Sequence, residues 1–374
     1  MITETVKRKI LHICPDFPNT KLYNLLINQL EGNLKNTVYV PSIVKNITTI
    51  YPLICLERNF SVLDRLLFYR KQYIIQKDIE KRELCDGMSL IHAHNLFSAG
   101  FAARKLSKKY GIPYIVAVRN TDVNVFFHYM IHLRCVGVKI LREAAAVVFI
   151  SPAYKKNVLE TYVPLKYRYE VAEKSLVIPN GIDELFLQNI PNESKCLIQS
   201  KTIRLIYVGE INANKNLFTT IKACELLETK GFTPSLTVVG PIIERQCEII
   251  KNNRFVKYHP NSSKETVMEI LRTCDIFVMP SLKETFGLVY VEAMSQGIPI
   301  IYSLGQGIDG YFEEGQVGFH VKSTSADDIV KAIIKIREDY CEMSNRCKKT
   351  AKLFSWNDIS SIYVNLYQNM GNNR

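Results

Sequence analysis

The sequence predicts an α/β protein of two doubly wound domains, each built on a parallel sheet. Short apolar runs alternate with amphipathic stretches along the 374 residues, and the series begins again after Pro191. Hydrophobic residues make up 47% and charged residues 22% of the chain, as in folded globular proteins, and the length is sufficient for two cores. Open parallel sheets bind ligands at the carboxyl ends of their strands, so we expect binding residues there.

Apolar runs bounded by glycine, proline or polar residues are the predicted strands. In the first half they cover residues 9–14, 37–41, 90–94, 114–118, 146–151 and 176–179, with amphipathic helices at 64–84 and 98–110. In the second half they cover residues 203–208, 236–239, 255–258, 276–279 and 299–301, with helices at 217–230 and 327–336. Residues 1–185 are thus the predicted N-terminal domain and 191–355 the C-terminal domain. A last amphipathic helix within 356–374 is predicted to cross back and join the first domain.

The sequence gives no indication of a membrane span, a leader or a metal centre. The longest apolar stretches are far too short to cross a bilayer, and the N-terminus lacks the apolar core of a signal peptide, so a cytoplasmic location is predicted. The ten cysteines form no CxxC pair and no Cys/His cluster with zinc-ligand spacing. The cysteines are therefore predicted to be reduced and mostly buried thiols rather than metal ligands or redox-active groups.

Positive charge is concentrated in the first half. Residues 1–190 carry 26 Lys and Arg against 16 Asp and Glu, whereas the remainder carries 22 against 20. An anionic partner, such as a phosphate-bearing acceptor or a membrane surface, would explain this, and so would a solvated Lys-rich surface. Residues 61–84 are either a helix with a solvated basic face, which is favoured, or an element lying on a membrane. No nucleic-acid-binding motif is present, and no nucleic-acid partner is predicted.

The segment from Pro280 to Pro299 carries the clearest chemical signal. It follows the predicted strand 276–279, and Phe286 and Gly287 would open a helix there. The first-turn amides of such a helix have no internal partners, and with the helix dipole they form an anion site suited to a diphosphate. Glycine at position 287 permits a ligand to approach the backbone closely.

Two carboxylates flank this helix start. Glu284 and Glu292 are eight residues apart, or roughly 12 Å along a helix, which is comparable to the reach from a ribose across a diphosphate to a sugar. Carboxylates accept hydrogen bonds from vicinal hydroxyls, so Glu292 could hold the ribose and Glu284 the sugar. The spacing alone favours an ordinary amphipathic helix with two surface glutamates. The flanking sequence, however, favours a binding site.

The flanking motifs resemble those of the retaining GT-B glycosyltransferases of family 4. ETFGLVYVEAMSQGIP resembles the Glu-x7-Glu signature of that family, and other matching pieces occur in the family's order. These are IPNGID at 178–183, YVG at 207–209 followed by Lys215 and Asn216, VVG at 238–240, DIFVMPS at 275–281 and FSW at 354–356. The resemblance extends from about Leu90 onward. It implies two facing Rossmann-like domains, a nucleotide-diphosphate-sugar as donor, and no metal or cofactor.

The resemblance also implies individual roles. Glu284 would contact the transferred sugar, Glu292 the ribose, and Lys215 would neutralise the departing diphosphate, which lowers the barrier to an oxocarbenium-like transition state. Main-chain amides of Phe286 and Gly287 would contact the sugar–phosphate region. The remaining donor-side candidates are Gly209, Thr285 and Tyr258.

One residue departs from the family pattern. Glu210 stands where an Arg usually follows the loop glycine and pairs with the Lys at position 215. A carboxylate there would repel a diphosphate unless it turns away or pairs with a base. Either Lys215 works with another cation, therefore, or the loop is rearranged.

The acceptor side is predicted at the carboxyl ends of strands in the first domain. His94 could approach a cleft there, although a lone strand-end His is more often structural. Arg119 stands where relatives commonly carry a His near the transferred sugar, and it is predicted to be catalytic. It would bind sugar hydroxyls or phosphate, or else pair with Asp122 to stabilise the loop. Asn120 and Asp122 complete the acceptor-side candidates.

The resemblance thus implies retaining transfer of a hexose-type sugar from a UDP- or GDP-sugar to a glycan or lipid-linked acceptor, in bacterial surface polysaccharide biosynthesis. A nucleotide-sugar epimerase of the same two-domain form would act without an acceptor. A non-catalytic nucleotide-sugar-binding partner protein is a third hypothesis, for which Glu210 is the only support. Peripheral association with the inner face of the membrane would follow if the basic first domain meets anionic lipid.

Overall fold

The computed structural model describes residues 7–17, 21–32, 34–41, 67–193, 195 and 200–370. The chain divides into two compact units. The first comprises Met1–Ile150, Lys155–Ile178 and Trp356–Arg374, and the second comprises Ser151–Tyr154 and Pro179–Ser355. No helix among the described residues is both long and apolar enough to span a bilayer.

Each unit contains a parallel sheet, and the two sheets have six strands each within the described residues. In chain order the strands are β1 (Lys9–Ile13), β2 (Lys35–Tyr39), β3 (Leu90–Ala93), β4 (Tyr114–Val118), β5 (Ala146–Phe149), β6 (Ser175–Val177), β7 (Thr202–Val208), β8 (Thr233–Val239), β9 (Val256–His259), β10 (Ile276–Val278), β11 (Ile300–Ser303) and β12 (Gly318–Val321). The predicted α/β fold class is confirmed. Strand β12 was not predicted from the sequence, because it is short, begins with glycine and contains a histidine.

Helices alternate with the strands. In chain order they are α1 (Lys21–Leu30), α2 (Phe68–Lys81), α3 (Gly100–Tyr110), α4 (Arg134–Glu143), α5 (Pro152–Thr161), α6 (Leu165–Glu173), α7 (Glu184–Gln188), α8 (Leu217–Thr229), α9 (Lys264–Thr273), α10 (Leu288–Ser295), α11 (Ala326–Glu338), α12 (Tyr340–Ala351) and α13 (Trp356–Asn369). Of the segment 61–84 in the sequence analysis, residues 61–66 lie outside the described part, and α2 buries Gln72, Ile75 and Ile79.

Local sequence explains where several helices begin and end. Ser263 caps α9 and Ser325 caps α11, each accepting a main-chain hydrogen bond through its hydroxyl. Gly111 ends α3 in the left-handed conformation at φ +69°, which favours glycine. These signals are local, and the predicted helices 98–110 and 327–336 accordingly end close to the observed ends of α3 and α11, whereas α9 was not predicted.

The strand order of each sheet defines its switch point, where ligands of open parallel sheets bind. The first sheet has the order β2-β1-β3-β4-β5-β6, so its switch point lies between β1 and β3. The second has the order β12-β11-β10-β7-β8-β9, so its switch point lies between β7 and β10. The last helix, α13, belongs to the first unit, where Tyr363 and Tyr367 pack in one cluster with residues of α1 and of the first sheet.

Candidate active site

Two loops meet at the switch point of the second sheet. Residues 209–216 lead from β7 to α8, and residues 279–287 lead from β10 to α10. Gly209 opens the first loop, and its main chain lies so close to Gly240 that a Cβ at position 240 would come 2.1 Å from the Gly209 oxygen. The φ of Gly240 is also +140°, so only glycine fits there without strain.

The first loop is fixed to the loop that follows β8. Ile211 and Ile242 form a β-bridge, and the Ile211 amide donates to the Pro241 oxygen at 2.9 Å. Asn212 caps the next turn by accepting from the Lys215 amide through Oδ1 at 3.0 Å. Lys215 therefore stands on a short capped turn, which limits the positions its ammonium can take.

Lys215 and Glu284 form an ion pair. The Lys215 Nζ lies 2.5 Å from the Glu284 Oε2, and the two side chains are 20% and 12% exposed. The fold thus brings together two residues that the sequence analysis assigned to catalysis and that lie 69 positions apart. A lysine ammonium has three N–H donors, so Lys215 can contact Glu284 and a phosphate oxygen together.

The amino end of α10 presents main-chain donors. Among the residues that the structure describes, the amides of Phe286, Gly287 and Leu288 have no hydrogen-bond partner. The buried Phe286 ring packs against Tyr311 and Phe354, which anchors the start of the helix. The φ of Gly287 is +82°, a conformation that favours glycine. The start of α10 is therefore an anchored group of donors suited to an anion.

A third loop, which no sequence motif indicated, supports Glu284. Gln306, after β11, accepts from the Glu284 amide through Oε1 at 3.1 Å, and the Gly307 amide donates to the Glu284 oxygen at 2.9 Å. The Thr285 amide donates to Glu284 Oε1 at 3.0 Å, so one carboxylate oxygen engages the main chain and the other engages Lys215. Gln306 stands in a Gly-Gln-Gly turn without a charged group, so no chemical signal marks it in the sequence.

Glu292 lies half-buried on α10. Burial raises the pKa of its carboxyl to about 7, and of the two nearby charges Lys264 lowers the pKa while Asp183 raises it. Lys264 and Asp183 pair with each other, with 2.6 Å between Nζ and Oδ2. In the described part of the chain Glu292 has no ion pair of its own. A carboxylate so weakly solvated gains much from two hydroxyl donors, which is the role predicted for it toward a ribose.

We expect Glu292→Gln to stabilise the ligand-free protein at neutral and alkaline pH. The folded-state pKa is raised, so the contribution of Glu292 to stability is present below pH 4.5 and is lost as the pH rises through about 7. The variant's free energy of unfolding should therefore exceed that of the wild type by on the order of 2 kcal/mol at about pH 8 and by little at about pH 4. Urea titrations at both pH values measure this difference.

Glu269, an exposed residue of α9, provides the matched control. Glu269→Gln should change the free energy of unfolding little, because an exposed side chain is in contact with water in both the folded and the unfolded chain. The assignment fails if wild type and Glu292→Gln differ by a constant amount over the whole pH range.

Glu210 and Tyr258 complete the donor side. The Glu210 side chain is exposed and makes no ion pair within the described residues, and its main-chain oxygen accepts from the Tyr207 hydroxyl at 2.6 Å. The structure thus assigns no basic partner to this carboxylate. The Tyr258 hydroxyl donates to the Gly240 oxygen at 3.1 Å, so Tyr258 supports the loop end that lies against Gly209.

Asp122 is a buried anchor between two loops of the first unit. Its carboxylate accepts from the amides of Leu96, Phe97 and Arg119 at 2.9, 3.0 and 2.9 Å. The pKa of Asp122 is raised to about 6 because burial outweighs these three bonds. Of the roles predicted for Asp122, this geometry favours loop stabilisation, through the main chain of Arg119 rather than its guanidinium.

Arg119 and Asn95 each present an unpartnered atom in the first unit. The Arg119 guanidinium lies 5.9 Å from the ring centroid of Tyr23, and Arg119 also hydrogen-bonds Tyr363. Arg119 Nε and Asn95 Oδ1 are both buried without a partner among the described residues. The Asn95 Nδ2 donates to Asp16 at 2.9 Å. A ligand hydroxyl both donates and accepts hydrogen bonds, so it could accept from Arg119 Nε and donate to Asn95 Oδ1. Asp16 and Asn95 are therefore further site candidates, which were not identified from the sequence.

His94 is fully buried in a cluster with His12 and His92. His12 Nδ1 and His94 Nε2 share a hydrogen bond of 3.0 Å, and His92 Nδ1 shares one of 2.6 Å with the Tyr367 hydroxyl. Burial lowers the pKa of His12 to about 4 and those of His92 and His94 well below their ordinary value. This geometry favours the structural role of His94. The other candidate, Asn120, is exposed and accepts a hydrogen bond from Asn124.

The three histidines have ligand atoms within 4.8 Å of one another. Sequence spacing did not indicate this cluster, because His12 comes from β1, whereas His92 lies in β3 and His94 directly follows that strand. The rings of His92 and His94 are stacked, with centroids 4.0 Å apart and planes 29° apart. Stacked rings direct their nitrogen lone pairs side by side rather than toward one point, so the geometry favours a network of neutral imidazoles over a metal centre.

Comparisons with known proteins agree with this architecture. Residues 190–354 match the family model "Glycosyl transferases group 1", and residues 48–184 match "Glycosyltransferase Family 4". The alpha-monoglucosyldiacylglycerol synthase of Acholeplasma laidlawii is 23% identical over 321 residues, covering 80% of this chain and 77% of that protein.

Two solved structures resemble the whole chain. The lipopolysaccharide outer core galactosyltransferase WaaB, in its apo form, matches with a TM-score of 0.72 at 15% identity, covering 96% of this chain and 99% of that one. HepE of Anabaena, solved in complex with UDP, matches with a TM-score of 0.66 at 14% identity, covering 97% of this chain and 100% of that one.

Two six-stranded parallel sheets with helices, together with these structural matches, define a two-domain α/β protein of the GT-B fold. The two family models follow one another along the chain, and the glycosyltransferase relatives cover most of it. The protein is therefore a glycosyltransferase. Its candidate donor-binding loops lie at the switch point of the second sheet, inside the region of the group 1 match.

Proposed function

We propose that the protein transfers a hexose-type sugar from a UDP- or GDP-sugar to a glycan or lipid-linked acceptor, with retention of the anomeric configuration. The observation that carries this proposal is the Lys215–Glu284 ion pair in the loops beside β7 and β10, with unpartnered amides at the start of α10. The complex of HepE with UDP supports a nucleoside diphosphate as the donor's leaving group.

The residues act together during transfer. Glu292 accepts hydrogen bonds from the ribose hydroxyls, and Glu284 accepts them from the sugar. The bond between the anomeric carbon and the phosphate oxygen breaks, and Lys215 with the α10 amides stabilises the negative charge that the nucleoside diphosphate takes with it. The acceptor hydroxyl bonds to the same face of the anomeric carbon, and its proton passes to the departing phosphate oxygen. The ammonium and amides supply the positive charge, so the proposed reaction requires no metal.

The proposed setting is bacterial surface polysaccharide or glycolipid synthesis at the cytoplasmic face of the membrane. WaaB acts on a lipopolysaccharide core, and the Acholeplasma relative is a glycolipid synthase, as their names state. The net positive charge of residues 1–190 supports a partner that is anionic, either a phosphate-bearing acceptor or a lipid surface.

The test is an assay of nucleotide release. The purified protein is incubated with a panel of UDP- and GDP-sugars, with and without glycan and lipid-linked acceptors, and the anomeric configuration of any product is read by NMR. Release that depends on an acceptor, with retention, is the expected result. Conversion of the sugar without an acceptor would establish the epimerase instead. Donor binding without turnover on any acceptor would establish the non-catalytic partner.

A further inference from the structure

We propose that Asn214 is a positioning residue that sets the Lys215 ammonium against the Glu284 carboxylate. The inference rests on the proposed function and deepens it, because it names what fixes the geometry of the two reacting-site charges. Asn214 touches neither charge itself. It acts through the main chain of the residues that precede Glu284.

Three hydrogen bonds join Asn214 to that segment. The Asn214 Nδ2 donates to the Lys283 oxygen at 2.9 Å, and the Lys283 amide donates to Asn214 Oδ1 at 3.1 Å. The Leu282 amide also donates to the main-chain oxygen of Asn214 at 2.7 Å. The Asn214 side chain thus donates to the main-chain oxygen of Lys283 and accepts from its amide, the same pair of hydrogen bonds that one residue makes to another across two paired strands.

The three bonds close a small ring of the chain. Asn214 precedes Lys215, Lys283 precedes Glu284, and the ion pair of 2.5 Å joins the two ends. The loops carrying these charges are 69 positions apart in sequence, so cross-loop contacts are what hold them in register. An ammonium and a carboxylate attract each other over a range of geometries, whereas the directional hydrogen bonds of the Asn214 side chain hold the two loops in a single geometry.

Asn216 supports the loop independently on the other side of Lys215. Its Nδ2 donates to the Pro280 oxygen at 3.2 Å, and it adopts the left-handed conformation at φ +55°. The side chain of Thr219 donates to the Asn216 Oδ1 at 2.8 Å, which ties the loop to the start of α8. Because these anchors remain, the loop should keep its fold when only the Asn214 side chain is changed.

We expect Asn214→Ala to lower kcat by about 10- to 100-fold, because a displacement of about 1 Å at a reacting group costs on this order. The dissociation constant for UDP or GDP should change by less than this, and the midpoint of thermal unfolding should stay close to that of the wild type. Asn214→Asp retains the acceptor but sets a carboxylate oxygen against the Lys283 oxygen, so it should not rescue kcat. Asn157, on the surface of α5, provides the control, and Asn157→Ala should keep full kcat.

A double-mutant cycle with Lys215→Ala decides whether Asn214 acts through the ion pair. If it does, Asn214→Ala should lower kcat no further once Lys215 is absent. Equal losses in the wild-type and Lys215→Ala backgrounds would overturn the proposal, because they would show an independent, merely structural effect.

Hydrogen exchange of the ligand-free protein provides a readout that does not depend on turnover. Asn214→Ala should speed exchange most at the Lys283 amide, which loses its Oδ1 acceptor, whereas the Leu282 amide keeps the main-chain oxygen of residue 214 as its acceptor. Unchanged exchange at the Lys283 amide would overturn the positioning role of Asn214. If Asn214→Ala exchanged faster but the wild type transferred no sugar, the positioning role would stand and the proposed function would be rejected, so the two failures are distinguishable.

Discussion

Lys215→Ala is expected to lower kcat for sugar transfer by about 10²–10³-fold, which is the cost of removing one preorganised donor from a developing negative charge. The substitution removes the ammonium that lies 2.5 Å from Glu284. It also leaves a carboxylate that is only 12% exposed without its cation, at the place where the donor's diphosphate is proposed to bind. Repulsion by this carboxylate should weaken the binding of UDP or GDP as well.

Removing both charges separates these two effects. In the double variant Lys215→Ala with Glu284→Gln, the unpaired carboxylate is gone, so calorimetry should show tighter binding of UDP or GDP than in Lys215→Ala alone, while kcat stays low. Lys230 is an exposed lysine of the same unit, and Lys230→Ala should retain the wild-type kcat. Wild-type kcat in Lys215→Ala would remove Lys215 from the site and, with it, the proposed stabilisation of the leaving group.

Asp122→Ala is expected to destabilise the first unit by about 3–5 kcal/mol. Its carboxylate serves three main-chain amides, and each buried donor left without an acceptor costs about 1–3 kcal/mol. Asp122→Asn should cost less, because its carbonyl oxygen still accepts while its amino group faces a donor. Urea unfolding, monitored by hydrogen exchange at the amides of β3 and β4, measures the decrease in the free energy of unfolding of the first unit.

Asp86 is exposed in the same unit, and Asp86→Ala should leave the free energy of unfolding nearly unchanged. The two results together test whether Asp122 is structural. If Asp122→Ala unfolded at the wild-type urea concentration but lost acceptor-dependent turnover, Asp122 would belong to the reaction rather than to the loop.

The local part of the site was readable from the sequence. Phe286, Gly287 and Glu292 lie within one helix start and its first turns, and the strand before them is a short apolar run. The helical period and the position of a strand end are properties of neighbouring residues, so sequence alone predicts which groups lie at the start of α10. The caps and glycines that bound the other helices are local in the same sense.

The contacts between loops were not readable in this way. Gln306 and Asn214 are uncharged side chains in turns, and their importance depends on which main-chain groups stand opposite them. The cluster of His12 with His92 and His94 likewise depends on β1 pairing with β3, which follows from strand order. A sequence pattern records neighbours along the chain, whereas these contacts join positions that only the paired strands bring together.

Apolar periodicity and helix-end chemistry act over a few residues, so the order of residues predicts two α/β units, each with a parallel sheet, and a helix start with free amides between two glutamates. The folded chain adds that Lys215 pairs with Glu284, that the Asp122 carboxylate binds main-chain amides, and that His94 is buried. A hydrogen bond or an ion pair extends over about 3 Å of space whatever the separation of its partners in sequence, so these contacts depend on how distant segments fold together.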